Sequence, residues 1–226
     1  MKTFLAFALV FVCCHGSAQM MVGDRIRIKP VEIDSVLNNP GIGFMTFQRF
    51  NGDTLNAGAG LTEGYPIAYQ PFNGNLSNKN HPATRIAYFR VDWAFVEPEK
   101  EKYNWEMIDK ALRTAAERNQ TLMLRIAPYE EGDKDVPAWY RTMMGREENL
   151  KSIKWRTNPE DPRYLQYFGG LIKALGDRYD GNPNLESVDI SINGFWGEGD
   201  GSHLLNDGTR IALLNCYLDH FKKTPL

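Results

Sequence analysis

Hydrophobic positions along the chain alternate between short runs rich in β-branched and aromatic residues and longer stretches with helical spacing. Runs of the first kind indicate strands, and apolar residues three and four positions apart indicate amphipathic helices. The pattern predicts four strands, at residues 42–47, 84–91, 121–127 and 185–192. Because helices alternate with these strands, we expect an α/β fold with a parallel sheet.

Three segments carry the helical pattern. Asn104 is the expected N-cap of the first, Asp161 caps the second with Pro162 at its first position, and the third starts at Asp207 or Thr209. The predicted buried stripes are Trp105, Ile108, Leu112 and Ala115 or Ala116 in the first helix, Leu165, Phe168, Ile172, Leu175 and Tyr179 in the second, and Ile211, Leu214, Leu218 and Phe221 in the third. A Gly- and Asn-rich segment, residues 49–82, predicts a long loop of the functional or mobile kind.

The first 19 residues have the pattern of a secretory signal peptide. Lys2 precedes an apolar run that is too short to span a bilayer, and small residues follow the run. Removal of this segment leaves Cys216 as the single cysteine, which excludes an internal disulfide. A lipid anchor at Cys13 is the alternative, but the preceding residues lack the small side chains that such cleavage favours. We therefore expect a secreted or periplasmic protein with one mature domain over residues 20–226.

Composition and charge narrow the classes of function. The 226 residues are 42% hydrophobic, which suits one globular domain, and 26 basic against 28 acidic residues give a net charge of −2. Without a block of like charge, we expect neither nucleic acid nor a membrane surface as partner. The absence of His-x-x-x-His, clustered Cys and a Gly-x-Gly-x-x-Gly motif argues against a metal site or a dinucleotide, so no cofactor is expected.

Polar and aromatic side chains gather just after three consecutive predicted strands. In parallel α/β folds the carboxyl ends of the strands form the ligand-binding crevice. The candidates for substrate contact or catalysis are Arg90, Asp92 and Trp93 after the second strand, Arg125, Tyr129 and Glu130 after the third, and Asn193, Trp196 and Glu198 after the fourth.

The segment from Arg90 to Asp109 contains an Asp-Trp, a Glu-Pro, a Tyr-x-Trp and an Ile-Asp. It resembles the second strand and second helix of clan A glycoside hydrolases, which are (β/α)8 barrels, and most closely those of the family 42 β-galactosidase type. Val136-Pro-Ala-Trp139 and Gly194-Phe-Trp-Gly-Glu198 fit the same pattern. The resemblance covers roughly residues 38–226. Because a whole barrel has eight βα units and this chain shows about four, it implies the N-terminal half of a TIM barrel.

The resemblance implies a carbohydrate substrate and places the general acid/base at Glu198. The nucleophile of the clan follows the seventh strand, so it is missing from this chain, which alone we expect to be inactive. Burial against an apolar wall such as Trp196 would favour the protonated form of Glu198. His203 corresponds to a histidine that closely follows the glutamate in some relatives. Gly197 departs from the clan, which usually has Asn at that position to bond the sugar 2-hydroxyl.

Other interpretations stay open at this stage. Glu198 could cap a turn, Arg90 and Arg125 could form structural ion pairs, Trp93 could pack in the core, and Glu97 suits the surface. The alternative function is a non-catalytic carbohydrate-binding or structural barrel. An unrelated four-stranded binding module is the third possibility. A partner that completes the fold would be a C-terminal half-barrel in the same or another chain.

Overall fold

The computed structural model describes residues 44–54, 63–78, 82–130, 132, 134–145 and 150–226. The predicted signal peptide, Cys13, the start of the predicted mature domain and the first residues of the first predicted strand lie outside the described residues.

Four parallel strands form one sheet in the order in which they occur along the chain. They are β1 Met45–Phe47, β2 Ile86–Asp92, β3 Thr121–Ala127 and β4 Leu185–Val188. The prediction of a parallel α/β fold is confirmed. Sequential parallel neighbours joined by helices are the arrangement of the first four units of a (β/α)8 barrel, so the fold is that of an N-terminal half-barrel.

The helices include the three that the sequence predicts. They are α1 Trp93–Val96, α2 Trp105–Glu117, α3 Ala138–Met144, α4 Pro162–Tyr164, α5 Gly170–Tyr179 and α6 Asp207–His220. A π-helix, Leu165–Gly169, joins α4 to α5, and a 3-10 turn covers Ser202–Leu204. Asn104 and Asp161 cap their helices as expected, and Asn206 caps α6 by accepting from the backbone N–H of Thr209.

One face of the sheet packs against the helices. Alternate residues of β2 and β3 are buried there, and the stripes predicted for α2 and the π-helix–α5 segment supply the other side of the core. The buried strand residues are Ala87, Phe89, Val91, Leu122, Leu124 and Ile126. Because side chains alternate along a strand, Arg90 and Arg125 lie on the opposite face, and they are paired in the β2–β3 register.

Most of the stripe predicted for α6 is wrong, although Phe221, directly after the helix, is buried as predicted. Leu213 and Tyr217 are its buried residues, whereas Ile211 is 57% exposed and Leu218 51% exposed. Apolar residues occur around most of this helix, so periodicity alone does not select a face. The close contact between α6 and α5 selects it: a Cβ at Gly176 would lie 2.6 Å from the Cβ of His220.

Two other expectations need correction. The fourth strand ends at Val188, four residues earlier than predicted, and its pairing with β3 is irregular between Leu122 and Met123. At that end, the N–H of Val188 bonds to the carbonyl of Pro225 at 3.0 Å, so the residues around Pro225 lie beside the edge of β4. Glu97 is buried, not on the surface.

Candidate active site

Arg90 connects three parts of the chain at the carboxyl end of the sheet. Its Nη1 lies 2.5 Å from Glu63 Oε1, in the segment between β1 and β2, and 2.7 Å from Glu198 Oε1, in the segment after β4. The guanidinium lies over the rings of Phe47 and Tyr88, 5.5 and 5.4 Å from their centroids. Arg90 therefore brings two glutamates that are far apart in sequence to the end of β2.

A second set of polar contacts holds the strands together beneath Arg90. The hydroxyl of Tyr88 accepts from Arg90 Nε at 2.9 Å and donates to Asp189 Oδ2. Arg125 Nε donates to the same carboxylate at 2.8 Å, and Arg125 Nη1 donates to the carbonyl of Trp196 at 3.1 Å. Burial, together with the bond to Asp189, raises the pKa of Tyr88 to about 12, so its hydroxyl remains a donor at neutral pH.

Asp92 and Glu130 bring two carboxyl groups together beside Gly64. A Cβ at position 64 would lie 2.6 Å from Asp92 Oδ2 and 2.8 Å from Glu130 Oε2. Asp92 is fully buried, and its side chain does not cap α1. Burial first, and then the negative charges of Glu130 and Asp135, raise the pKa of Asp92 to about 9. Burial also raises the pKa of Glu130.

The segment that carries Glu198 is bent by two residues in the left-handed region, Trp196 with φ +51° and Gly197 with φ +72°. The backbone N–H of Trp196 bonds to the carbonyl of Tyr129 at 2.9 Å, which ties the segment to the end of β3. A Cβ at Gly197 would lie 1.9 Å from Ser191 Oγ. In this conformation the position has no room for the asparagine that the clan usually carries.

Besides Asp92, three predicted contact residues lie in the interior instead of on the open face. Trp93, Tyr129 and Asn193 are fully buried. Trp93 packs with its ring centroid 4.7 Å from that of Tyr140, and the Tyr129 hydroxyl accepts from the backbone N–H of Gly194 at 2.8 Å. They therefore support the site from the interior of the protein, and a molecule bound on the open face would not contact them.

Glu198 and His203 lie in surroundings different from those expected. The Glu198 side chain is 51% exposed and paired with Arg90, so no apolar wall encloses it. The Trp196 indole lies beside the Glu130 carboxylate instead, where it opposes the rise in the pKa of that group. His203 is exposed on the 3-10 turn, and among the described residues no hydrogen bond or ion pair joins it to Glu198.

The sequence analysis missed Glu63, Tyr88 and Asp189. Tyr88 lies two residues before Arg90 on the same strand, so it carried a usable signal, whereas Asp189 fell inside the strand predicted over residues 185–192. Glu63 carried none, because only the tertiary structure brings the long segment before β2 to the Arg90 side chain.

Over the residues that the structure describes, no group of three or more His, Cys, Asp or Glu side chains is arranged to hold a metal ion. No helix in the same ranges is long and apolar enough to cross a membrane.

A half-barrel with carboxylates and arginines at the carboxyl ends of its strands is the scaffold of a glycoside hydrolase-like protein. The family model for glycoside hydrolase family 42, described as β-galactosidase, matches residues 76–197, more than half of the chain. The chain belongs to this family. The match ends one residue before Glu198.

Solved structures similar to this chain include an endo-glycoceramidase II from Rhodococcus sp. as its lactosyl-enzyme intermediate, with 18% identity, a TM-score of 0.44, and coverage of 62% of this chain and 40% of that one. Xylanase 10B from Thermotoga maritima has 14% identity and a TM-score of 0.43, over 63% of this chain and 40% of that one. A GH5_18 protein from Bifidobacterium longum subsp. infantis has 14% identity and a TM-score of 0.42, over 62% and 33%. The chain thus matches at most about 40% of the length of these proteins. No curated protein sequence matches the chain significantly.

Proposed function

We propose that the chain is the N-terminal part of an exported glycoside hydrolase that acts on O-glycosidic bonds of oligo- or polysaccharides, with Glu198 as general acid/base. One observation carries the proposal: the ion pair between Arg90 and Glu198 brings the segment after β4 onto the end of β2, on the open face of the sheet. Family membership supports the reaction class. The signal-peptide pattern of residues 1–19 supports export.

The second carboxylate that the reaction needs would come from outside this chain. Retaining glycosidases place the two carboxyl groups about 5–5.5 Å apart, and the resemblance to clan A puts the nucleophile after a seventh strand. A C-terminal half-barrel, in the same or another chain, would supply that strand and cover the open side of the sheet. The 226-residue chain by itself is expected to release no product from an aryl glycoside.

The accessible polar groups of the open face are the proposed sugar contacts. Arg90, Arg125 and Glu130 are part-buried, so each is held in place yet reaches the surface. Charged donors and acceptors of this kind bond sugar hydroxyls, and the half-exposed Trp196 ring offers a stacking surface beside them. Asp92 is fully buried, so it supports these groups from the interior and does not itself contact the sugar.

The test of Glu198 is the Glu198→Gln variant in the protein completed by its C-terminal half. Loss of a general acid lowers turnover by about 10²- to 10⁴-fold, and the expected result is such a loss with sugar affinity retained. Glu117→Gln is the matched control, since Glu117 is exposed at the end of α2, away from the site. Unchanged turnover in Glu198→Gln contradicts the assignment.

A non-catalytic carbohydrate-binding barrel is the second candidate. Gly197 favours it, because the contact with Ser191 leaves no room for the asparagine that would bond the sugar 2-hydroxyl. If this candidate is right, the completed protein binds glycans but does not turn them over. The Glu198→Gln variant then binds glycans as tightly as the wild type.

A further inference from the structure

Asp92 is a buried acid to which the described residues offer neither a hydrogen-bond donor nor an ion-pair partner. Its side chain is fully buried, and among the described residues neither carboxyl oxygen has a nitrogen or hydroxyl donor within hydrogen-bond distance. It caps no helix and forms no ion pair within the described ranges. Burying an ionised carboxylate without a partner generally costs several kcal/mol of folding free energy. The Asp92 carboxyl must therefore be stabilised in another way.

The charged groups around Asp92 are acidic or already paired. Glu63 faces it from the segment before β2, and Glu130 and Asp135 face it from the segment after β3. Asp135 is saturated by the backbone N–H groups of Glu130 and Val136 and by two arginines, Arg141 and Arg156. Arg90, the cation on the same strand, is bonded to Glu63 and Glu198. The charged groups with the largest influence on Asp92 are therefore all acidic, and the cation on its own strand is already paired.

Among the residues that the structure describes, Glu130 is the group placed to satisfy it. Its carboxyl meets that of Asp92 at Gly64, and the Trp196 indole lies beside it and opposes the rise in its pKa. Two ionised carboxylates in contact repel each other, whereas one proton between them converts the contact into a hydrogen bond. Glu130 is only half buried, so of the two it is the member that faces the open side.

We propose that Asp92 is a positioning residue for Glu130: it retains its proton at neutral pH, donates it in a hydrogen bond to Glu130, and so holds the Glu130 carboxylate, with Trp196 on its other side, as an acceptor for sugar hydroxyls. The contact between Asp92 and Glu130 stands on geometry. The sugar-binding part rests on the proposed function.

The fixed Glu130 carboxylate also indicates the class of sugar. The open face carries Glu63, Glu130, Glu198 and Asp189 against Arg90 and Arg125, which leaves it acidic while Asp92 holds its proton. Such a face suits sugars without carboxylate or sulfate groups and repels uronic or sulfated ones.

The first measurement follows the carboxyl proton and needs no sugar. Infrared spectra at pH 7 are expected to show the C=O band of a protonated carboxyl in the wild-type chain and its loss in Asp92→Asn, with the band kept in the control Glu99→Gln, an exposed glutamate beside Lys102. A wild-type spectrum without the band, or a band that persists in Asp92→Asn, overturns the proposal.

The second measurement follows the Trp196 indole N–H by NMR from pH 6 to pH 10. In the wild type the signal is expected to shift as Asp92 loses its proton and the Glu130 contact breaks. In Asp92→Asn the amide still donates and does not titrate, so the signal is expected to stay constant. A signal that moves equally in both variants shows that Asp92 does not position Glu130.

Lactose, as a neutral disaccharide probe, separates this proposal from the proposed function. Binding by the completed protein is expected to weaken about tenfold or more above pH 9 in the wild type, to persist in Asp92→Asn, and to be lost in Asp92→Ala. If lactose, cellobiose and xylobiose all fail to bind while the infrared and NMR results hold, the carboxyl pair stands and the sugar-binding function fails. Binding whose pH dependence is the same in Asp92→Asn as in the wild type overturns the positioning role.

Discussion

Trp93 and Glu97, four residues apart, are joined inside the protein by a hydrogen bond of 2.7 Å from the indole Nε1–H to Glu97 Oε2. The second carboxylate oxygen of Glu97 accepts from the backbone N–H of Glu101 at 2.7 Å, and its backbone carbonyl accepts from the indole of Trp139 at 3.1 Å. A residue of the Glu-Pro motif thus links the end of β2 to α3. Burial raises the pKa of Glu97, and the Trp93 and Glu101 donors oppose the rise.

Glu97→Ala is expected to lower the free energy of unfolding by about 1–3 kcal/mol for each donor left buried without an acceptor. Glu97→Gln keeps an acceptor and is expected to lose less. Urea denaturation measures both, against Glu99→Ala, whose exposed pair with Lys102 contributes about 0–1 kcal/mol. Equal effects of the two alanine variants would contradict the buried role of Glu97.

The contact between Gly197 and Ser191 predicts that position 197 accepts no side chain. Gly197→Ala is expected to be about 1–3 kcal/mol more destabilising than Gly74→Ala, because Gly74 also has positive φ but an added Cβ there meets nothing within 4 Å. The comparison removes the cost of the left-handed backbone and leaves the cost of the contact. Thermal and urea unfolding of the two variants give the difference, and similar values would mean that the segment before Glu198 moves to make room.

Because one face of α6 is buried, alanine substitutions at two nearby apolar residues are expected to differ in their effect on stability. Leu213→Ala is expected to cost about 2–5 kcal/mol, as buried Leu→Ala changes do. Ile211→Ala is expected to change stability by no more than about 0.5 kcal/mol in this chain, because the side chain is mostly exposed. If denaturation shows that Ile211→Ala lowers stability more than Leu213→Ala does, the buried face of α6 is the one that periodicity predicts.

The raised pKa of Asp92 predicts how stability depends on pH. Its pKa is about 9 in the folded chain and about 3.9 in an unfolded one, so the folded state binds more protons between these values. Its contribution to stability is therefore complete below about pH 4 and is lost as the pH rises towards 9, with a slope of at most about 1.4 kcal/mol per pH unit. Asp92→Asn is expected to flatten the curve of unfolding free energy against pH between 5 and 8.5.

Asp219→Asn serves as the control for that curve, since Asp219 is exposed on α6. Its curve is expected to run parallel to that of the wild type. If Asp92→Asn also runs parallel to the wild type, Asp92 is ionised at neutral pH and its burial must be satisfied differently.

Local signals along the chain were sufficient for much of the fold. Asn104 and Asp161 cap the helices that their side chains predict, and β3 has the predicted bounds, because caps and buried strands depend on a few adjacent residues. The placement of Arg90, Glu130 and Glu198 at strand ends follows from the same local order. Their roles in a reaction remain predictions.

The sequence by itself determined the order of strands and helices and the strand ends at which charged side chains gather, since these depend on the spacing of neighbouring residues. Its resemblance to clan A glycoside hydrolases implied the half-barrel. Only the tertiary structure decided which side chains meet and which are covered. Trp93 and Tyr129 lie near strand ends as Arg90 does, yet they are buried because the helices and the Gly194 segment close over them. The contact of Asp92 with Glu130 depends on the alignment of two strands and the backbone of Gly64, which no local pattern encodes.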